Sequence, residues 1–122
     1  MNTFNLSIVI PCFNEEENIS FLFEKIENLL EKISSVEIII IDNGSTDSTY
    51  QRIVNTDLFI KKKINFLRIE KNIGYGHGIM AGVNIAKGNF IGWCHADLQT
   101  EPIDVLNAYK ENLNELKKEH CV

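Results

Sequence analysis

The residues best suited to chemistry follow two apolar segments that have the character of buried strands. The first segment, residues 36–41, leads into Asp42, and the second, residues 90–94, leads into His-Ala-Asp-Leu-Gln at residues 95–99. Strands of a parallel sheet present their carboxyl ends at one edge. Carboxylate and amide oxygens, such as those of Asp97 and Gln99, suit Mg²⁺ or Mn²⁺, and substrate phosphates commonly complete the ligand shell. The pattern therefore predicts a site for a nucleotide phosphate and a divalent cation.

The elements that must position these residues alternate between strand and helix. Apolar runs predict strands near residues 6–11, 36–41, 64–69 and 90–94. Apolar residues at helical spacing predict a long helix after the first strand, shorter helices after the second and third, and a last helix from about Ile103. This order predicts an α/β fold with a mainly parallel four-stranded sheet and helices on both faces.

Two local patterns concern helix starts. Asn14, with Glu17 three residues later, matches a capping box, which predicts that Asn14 caps the first helix. Asp97 precedes Glu101 and Pro102 and a helical pattern, so a capping role is the alternative to cation binding for this carboxylate.

Composition restricts the class of protein. The chain has 122 residues, enough for one domain, and a net charge of −5, which argues against nucleic acid as a partner. The lysine run at residues 61–63 is either a solvated loop or a contact for an anionic membrane surface. The first residues lack the features of a secretory signal, so a cytoplasmic location is expected.

Four segments, taken in this order, resemble the nucleotide-sugar-binding half of family-two glycosyltransferases with the Rossmann-like GT-A fold. The resemblance covers most of the chain, from Leu6 to Pro102. Within the family, these motifs are most similar to those of the branch that loads sugars onto polyprenyl phosphates, as dolichyl-phosphate mannose synthase does. The segments are Ser-Ile-Val-Ile-Pro-Cys-Phe-Asn-Glu-Glu-Glu-Asn-Ile (7–19), Ile-Asp-Asn-Gly-Ser-Thr-Asp-Ser-Thr (41–49), Asn-Ile-Gly-Tyr-Gly-His-Gly (72–78) and His-Ala-Asp-Leu-Gln (95–99).

The resemblance implies a metal-dependent, inverting transferase that uses Mg²⁺ or Mn²⁺. Its donor would be a UDP- or GDP-sugar and its acceptor a polyprenyl phosphate or a glycan. In the full-length protein the site would lie at the cytoplasmic face of the membrane.

The resemblance also implies site roles, carried over one residue at a time. Asp97 would bind the cation and act in catalysis, with Gln99 in support and His95 at the first position of the metal motif. The residues that would bind the nucleotide sugar are Pro11, Phe13 and Glu15 around the nucleoside, Ile40 and Asp42 at the base, Asn72 and Gly74 in one wall, and His95 and Ala96 near the ribose.

Simpler roles stand beside these. Phe13 could pack against the first helix, Asp42 could cap its own turn, and Gln99 could face solvent. The glycines at 74, 76 and 78 invite a dinucleotide-binding interpretation, but they follow the third strand and have the wrong spacing for it.

Two departures from the family pattern affect the prediction. The metal motif of the family usually reads Asp-x-Asp, and His95 stands at its first position, which removes a negative charge and leaves the choice of metal open. Asn43 replaces the second acidic residue of the Asp-Asp-Gly-Ser pattern, a milder change that keeps a polar group.

Little of the sequence follows the metal motif. The residues after Gln99 resemble one helix, whereas the family places its acceptor site beyond this point, so residues 1–122 are expected to form an incomplete donor-binding domain. The alternative is a non-catalytic nucleotide-sugar-binding or assembly module. If the chain ends at Val122, the fourth strand is expected to form an exposed sheet edge, and the chain is expected to self-associate through that edge or through an apolar patch near it.

Overall fold

A computed structural model describes residues 4–97 and 101–119, with the backbone alone for residues 112–119. The four strands form one parallel sheet in the order β3-β2-β1-β4, which confirms the predicted α/β fold. The elements are β1 Leu6–Cys12, α1 Ile19–Lys32, β2 Val36–Asn43, α2 Thr49–Val54, α3 Asp57–Ile60, β3 Asn65–Ile69, α4 Tyr75–Ile85, β4 Phe90–Trp93 and α5 Pro102–Glu119.

Side-chain alternation along the central strands divides the core into two clusters. Successive residues of a strand face opposite sides of the sheet. The larger cluster lies under α1 and α5 and takes from the strands Leu6, Ile8, Ile10, Cys12, Val36, Ile38 and Ile40. The smaller cluster lies on the side of α4 and consists of Val9, Ile39 and Ile41. The near-continuous apolar sequence of β1 and β2 follows from this burial on both faces.

Helix α4 lies unusually close to the sheet because it crosses β1 at a glycine. A Cβ atom on Gly82 would lie 2.4 Å from Cγ1 of Val9, closer than van der Waals contact allows. Helix α4 begins at Tyr75, beside the carboxyl end of the sheet, and this close packing fixes the position of its first turn.

A buried carboxylate joins the strands at the opposite, amino-terminal edge of the sheet. Glu37 is 3% exposed; its Oε1 accepts hydrogen bonds from Ser7 Oγ (2.7 Å) and Lys87 N (2.8 Å), and its Oε2 accepts one from Asn65 Nδ2 (2.6 Å). The network therefore connects β1, β2, β3 and the segment after α4.

The predicted capping box at Asn14 is wrong. Helix α1 begins at Ile19, with Asn18 at the N-cap position, and Asn14 adopts a left-handed backbone conformation with φ of 52°. Its Oδ1 accepts hydrogen bonds from the backbone N of Thr46 (2.8 Å) and of Asp47 (3.3 Å), more than thirty residues away in sequence. A partner in another loop therefore replaces the local cap.

None of the helices in the described part of the chain is both long enough and apolar enough to cross a membrane.

Candidate donor-binding site

A small cavity lies at the carboxyl edge of the sheet, where the sequence predicts ligand binding. Its volume is about 120 Å³, well below the roughly 300–1,000 Å³ of typical small-molecule sites, so it can enclose only part of a nucleotide sugar. Phe13 is 44% exposed at this edge, which makes its ring available to a ligand and argues against simple packing on α1. The residues that line the cavity are Pro11, Cys12, Phe13, Glu15, Asn43, Tyr75, His95, Ala96 and Asp97.

Hydrogen bonds between two loops hold the first wall of the cavity in place. The backbone N of Glu15 donates to Thr49 Oγ1 (2.8 Å), and the backbone N of Asn14 donates to Ser45 Oγ (3.0 Å). Asp47 accepts hydrogen bonds from Thr49 N (2.9 Å) and Thr49 Oγ1 (2.5 Å). The pKa of Asp47 lies below its usual value. Burial is the largest single influence and raises this pKa, but the hydrogen bonds from Thr49 and one from Glu16 N together outweigh it.

Tyr75 and His95 form the second wall. The Tyr75 hydroxyl lies 2.9 Å from His95 Nδ1, and the two rings stack with centroids 5.4 Å apart and planes 16° from parallel. Burial, followed by the charges of Cys94 and Asp97, raises the pKa of Tyr75, so its phenol keeps its proton at neutral pH. The pair joins the start of α4 to the segment after β4.

The floor between these walls contains a buried amide. Asn43 is 2% exposed; its Nδ2 donates to the carbonyl of Gly74 (3.2 Å), and its Oδ1 has no hydrogen-bond partner among the described residues. Asn72 Oδ1 in turn accepts a hydrogen bond from the backbone N of Gly74 (2.8 Å). Gly74 has a backbone φ of 129°. Asn72 and Gly74 thus shape the loop behind the cavity, although neither lines it.

Asp42 and Ile40, which the resemblance places at the base, do not line this small cavity, and their contact with a base stays a prediction. Ile40 and Asp42 are both fully buried, and Ile40 belongs to the cluster under α1. Asp42 Oδ1 accepts from Ser45 N (3.1 Å), as the turn-capping alternative predicts. Its Oδ2 forms no hydrogen bond with correct geometry but lies 3.5 Å from Nε of Arg68, an ion pair. Asp42 and Asn43 face opposite sides of β2, and of the two it is Asn43 that lines the cavity.

The thiols of Cys12, which lines the cavity, and of Cys94 are buried and protonated. Burial, with smaller contributions from Glu15, Asp42 and Cys94, strongly raises the pKa of Cys12, and burial with the charge of Asp104 raises that of Cys94 to about 12. Since a thiolate is the nucleophile and the metal ligand, neither thiol suits those roles at neutral pH.

A larger concavity, of about 750 Å³, lies at the amino-terminal edge of the sheet. Its lining combines three lysines with three acidic residues, Glu27, Glu31 and Asp57, so its charges largely balance. It lies away from the strand ends at which ligands bind in open α/β sheets, so we assign the site to the smaller cavity.

The family assignment follows from the sequence comparison. The sequence model of "Glycosyl transferase family 2" matches residues 7–115, nearly the whole chain. This chain belongs to glycosyltransferase family 2.

Relatives within the family carry more specific names. The chain is 34% identical over 102 residues to an undecaprenyl-phosphate 4-deoxy-4-formamido-L-arabinose transferase of Pectobacterium atrosepticum, covering 83% of this chain and 31% of that protein. It is 29% identical over 115 residues to a dodecaprenyl-phosphate galacturonate synthase of Rhizobium johnstonii, covering 91% and 33%. The chain thus spans about a third of the length of the curated relatives it matches.

Solved structures agree with the fold. TarS of S. aureus, residues 1–349, superposes with a TM-score of 0.69 at 20% identity, covering 96% of this chain and 33% of that one. A mannosyltransferase of Pyrobaculum calidifontis, solved in complex with GDP-Man and Mn²⁺, superposes with a TM-score of 0.67 at 17% identity, covering 78% and 28%. The chain therefore has the fold of GT-A glycosyltransferases.

The structure describes two of the three residues that are predicted to form the family's metal motif. Asp97 and His95 both line the cavity, whereas Gln99 lies outside the described residues. Helix α5 begins at Pro102, and Asp104 Oδ2 accepts from Glu101 N (3.0 Å), so Asp97 is not at the cap position of this helix. No group of three or more His, Cys, Asp or Glu that could hold a metal occurs among the described residues. One or two protein ligands, such as Asp97 and His95 among the described residues, suffice for a Mg²⁺ or Mn²⁺ ion whose other ligands are phosphate and water.

Three residues line the cavity although no site role is predicted for them from the sequence: Cys12, Asn43 and Tyr75. For Asn43 a signal was available, since it directly follows Asp42 at the end of β2 and faces the side of α4. Tyr75 lies inside the glycine-rich segment of the family, where its contact with His95 depends on tertiary structure.

Proposed function

We propose that this chain is the donor-binding part of a glycosyltransferase that transfers a sugar from a UDP- or GDP-sugar to a polyprenyl phosphate or a glycan. Family membership supports the reaction class, and the relatives named for polyprenyl-phosphate transfer support the acceptor class. The observation that carries the proposal is one cavity at the carboxyl edge of the sheet that brings together Phe13, His95 and Asp97. An acceptor attached to a lipid would place this site at a membrane, and we propose the cytoplasmic face.

The chemistry required of this half is recognition of a nucleoside diphosphate and control of its charge. The exposed ring of Phe13 offers an apolar surface to the base or ribose. Asp97, which lines the cavity beside His95, would hold Mg²⁺ or Mn²⁺. A cation there would stabilise the negative charge that develops on the diphosphate as the sugar leaves. Transfer with inversion, which the resemblance implies, remains part of this proposal.

A second candidate function is a non-catalytic module that binds nucleotide sugars. His95, in place of the usual carboxylate of the metal motif, favours it because the site then has less negative charge to hold a cation.

Calorimetry with UDP and GDP, each with Mn²⁺ and with EDTA, tests the proposed function, with ADP as the control nucleotide. We expect one of the two diphosphates to bind in preference to ADP and to bind more tightly with Mn²⁺. Failure of both to bind would contradict the donor-site proposal. Assays of donor hydrolysis and of transfer to a polyprenyl phosphate then separate the two candidates, because a binding module shows neither reaction.

We also propose that the chain self-associates through β4. This strand lies at one edge of the sheet, and its residues Ile91 and Trp93 are 39% and 54% exposed. Unpaired edge strands with apolar side chains favour pairing with another chain.

Light scattering over a concentration series tests this prediction. We expect the apparent mass to rise above that of a monomer, and the emission of Trp93, the sole tryptophan, to shift to the blue as it becomes buried. Ile91→Lys should keep the chain monomeric, whereas Ile60→Lys, at an exposed position on α3, should not. A monomer at every concentration would contradict the prediction.

A further inference from the structure

The contact between Tyr75 and His95 bears on which ring nitrogen of His95 carries the proton. A neutral imidazole has one N–H and one lone pair, and the hydrogen bond made by one nitrogen sets the state of the other. Here the Tyr75 hydroxyl lies 2.9 Å from Nδ1 of His95. Both residues line the cavity, and since Nδ1 is engaged by Tyr75, Nε2 is the ring nitrogen of His95 that is left for a ligand.

We propose that Tyr75 is a positioning residue that donates its hydroxyl proton to Nδ1 of His95 and so fixes His95 as a hydrogen-bond donor, through Nε2–H, to the diphosphate of the donor. A phenol gives its proton to an imidazole lone pair readily, and no other partner of this hydroxyl is found in the described part of the chain. The parallel stacking of the rings also restricts the rotation of the imidazole. This inference rests on the proposed function for the identity of the ligand, but not for the state of His95.

The consequence is a division of labour between the two residues of the modified metal motif. In the Nε2–H tautomer His95 has no lone pair on Nε2 for a cation, so Asp97 carries the response to Mn²⁺. The uncharged imidazole of His95 instead donates a charge-assisted hydrogen bond to the anionic diphosphate. This hydrogen bond does not depend on metal. Nucleotide binding should therefore have a part that persists in EDTA and depends on Tyr75 and His95.

Nitrogen NMR of the ligand-free chain tests the first half of the proposal. We expect His95 to be in the Nε2–H tautomer, with its resonances assigned by their loss in His95→Gln, and Tyr75→Phe to produce a mixture of tautomers. The control is Tyr109→Phe, which removes a hydroxyl from a ring that packs on Phe90. An Nδ1–H tautomer in the unmodified chain, or a tautomer that Tyr75→Phe leaves unchanged, would overturn the role of Tyr75.

Calorimetry with UDP and GDP in EDTA tests the second half. We expect Tyr75→Phe to weaken the EDTA-resistant affinity about threefold to tenfold and His95→Ala about 10- to 100-fold, as for hydrogen bonds to neutral and charged groups. The double variant should be no weaker than His95→Ala, because Tyr75 acts through His95. Unchanged affinity in both single variants would overturn the diphosphate contact. If neither nucleotide binds the unmodified chain, the proposed function fails, while the ligand-free tautomer still decides the role of Tyr75.

Discussion

Replacing Asp97 with asparagine is expected to remove the Mn²⁺-dependent part of UDP or GDP binding. Asp97 is the one carboxylate of the modified metal motif within the described residues, and His95 adds no negative charge to hold the cation. Residues that merely orient a metal ligand are each worth about 10- to 100-fold in metal affinity, so loss of the ligand itself should cost about 100-fold or more. Calorimetric titration of nucleotide in the presence of Mn²⁺ measures this loss.

The design has an internal comparison and a matched control. In EDTA, Asp97→Asn should bind nucleotide at least as tightly as the unmodified chain, because without the cation the carboxylate of Asp97 repels the anionic diphosphate. Asp57→Asn, an exposed aspartate at the first turn of α3, should leave both affinities unchanged. An Asp97→Asn chain that still binds more tightly with Mn²⁺ would show that other residues hold the metal.

The second large effect concerns stability and is expected for Glu37→Ala. This substitution leaves the donors Ser7 Oγ, Asn65 Nδ2 and Lys87 N without the carboxylate that accepts them. Hydrogen bonds to a charged group contribute about 1.5–3 kcal/mol each, and unpaired buried donors carry a further penalty, although such losses are not additive. We expect a loss of about 3 kcal/mol or more, a large fraction of the 5–15 kcal/mol typical of a domain.

Urea unfolding followed by circular dichroism measures this change. Glu37→Gln keeps the shape and one acceptor oxygen, so it should unfold at an intermediate urea concentration, and it gives a second measurement if Glu37→Ala does not fold. Glu24→Ala, at an exposed position on α1, should change the stability by less than about 0.5 kcal/mol. Equal stability of Glu37→Ala and Glu24→Ala would show that the network contributes nothing.

The features predictable from sequence are those that depend on periodicity. Buried strands and amphipathic helices reveal themselves through the spacing of apolar residues, and the parallel order follows from their alternation. Strand ends then identify the edge that carries the six predicted site residues that line the cavity, which are Pro11, Phe13, Glu15, His95, Ala96 and Asp97. Their roles toward a ligand remain predictions.

Sequence patterns do not reveal the contacts that a side chain makes with residues far away along the chain. Asn14 has the local signature of a helix cap, but its Oδ1 bonds to the loop after β2. Asp42 stays a predicted site residue, but its surroundings are tertiary, because the pleat of β2 places it beside Arg68 and turns Asn43 toward α4. The strand order also separates β2 from β4 by β1, so the two acidic strand ends are not neighbours. None of these facts can be derived from spacing along the chain.

The interlocking of the loops after β1 and β2 has a consequence for affinity. Because Asn14, Glu15 and Glu16 are hydrogen-bonded to residues 45–49, the backbone beside Phe13 loses its conformational freedom when the chain folds. Fixing the backbone of one residue costs about 1–2 kcal/mol in conformational entropy. If a nucleoside binds at this wall, as we propose, it would meet a preorganised surface, and its contact energy would not be diminished by having to order the loop.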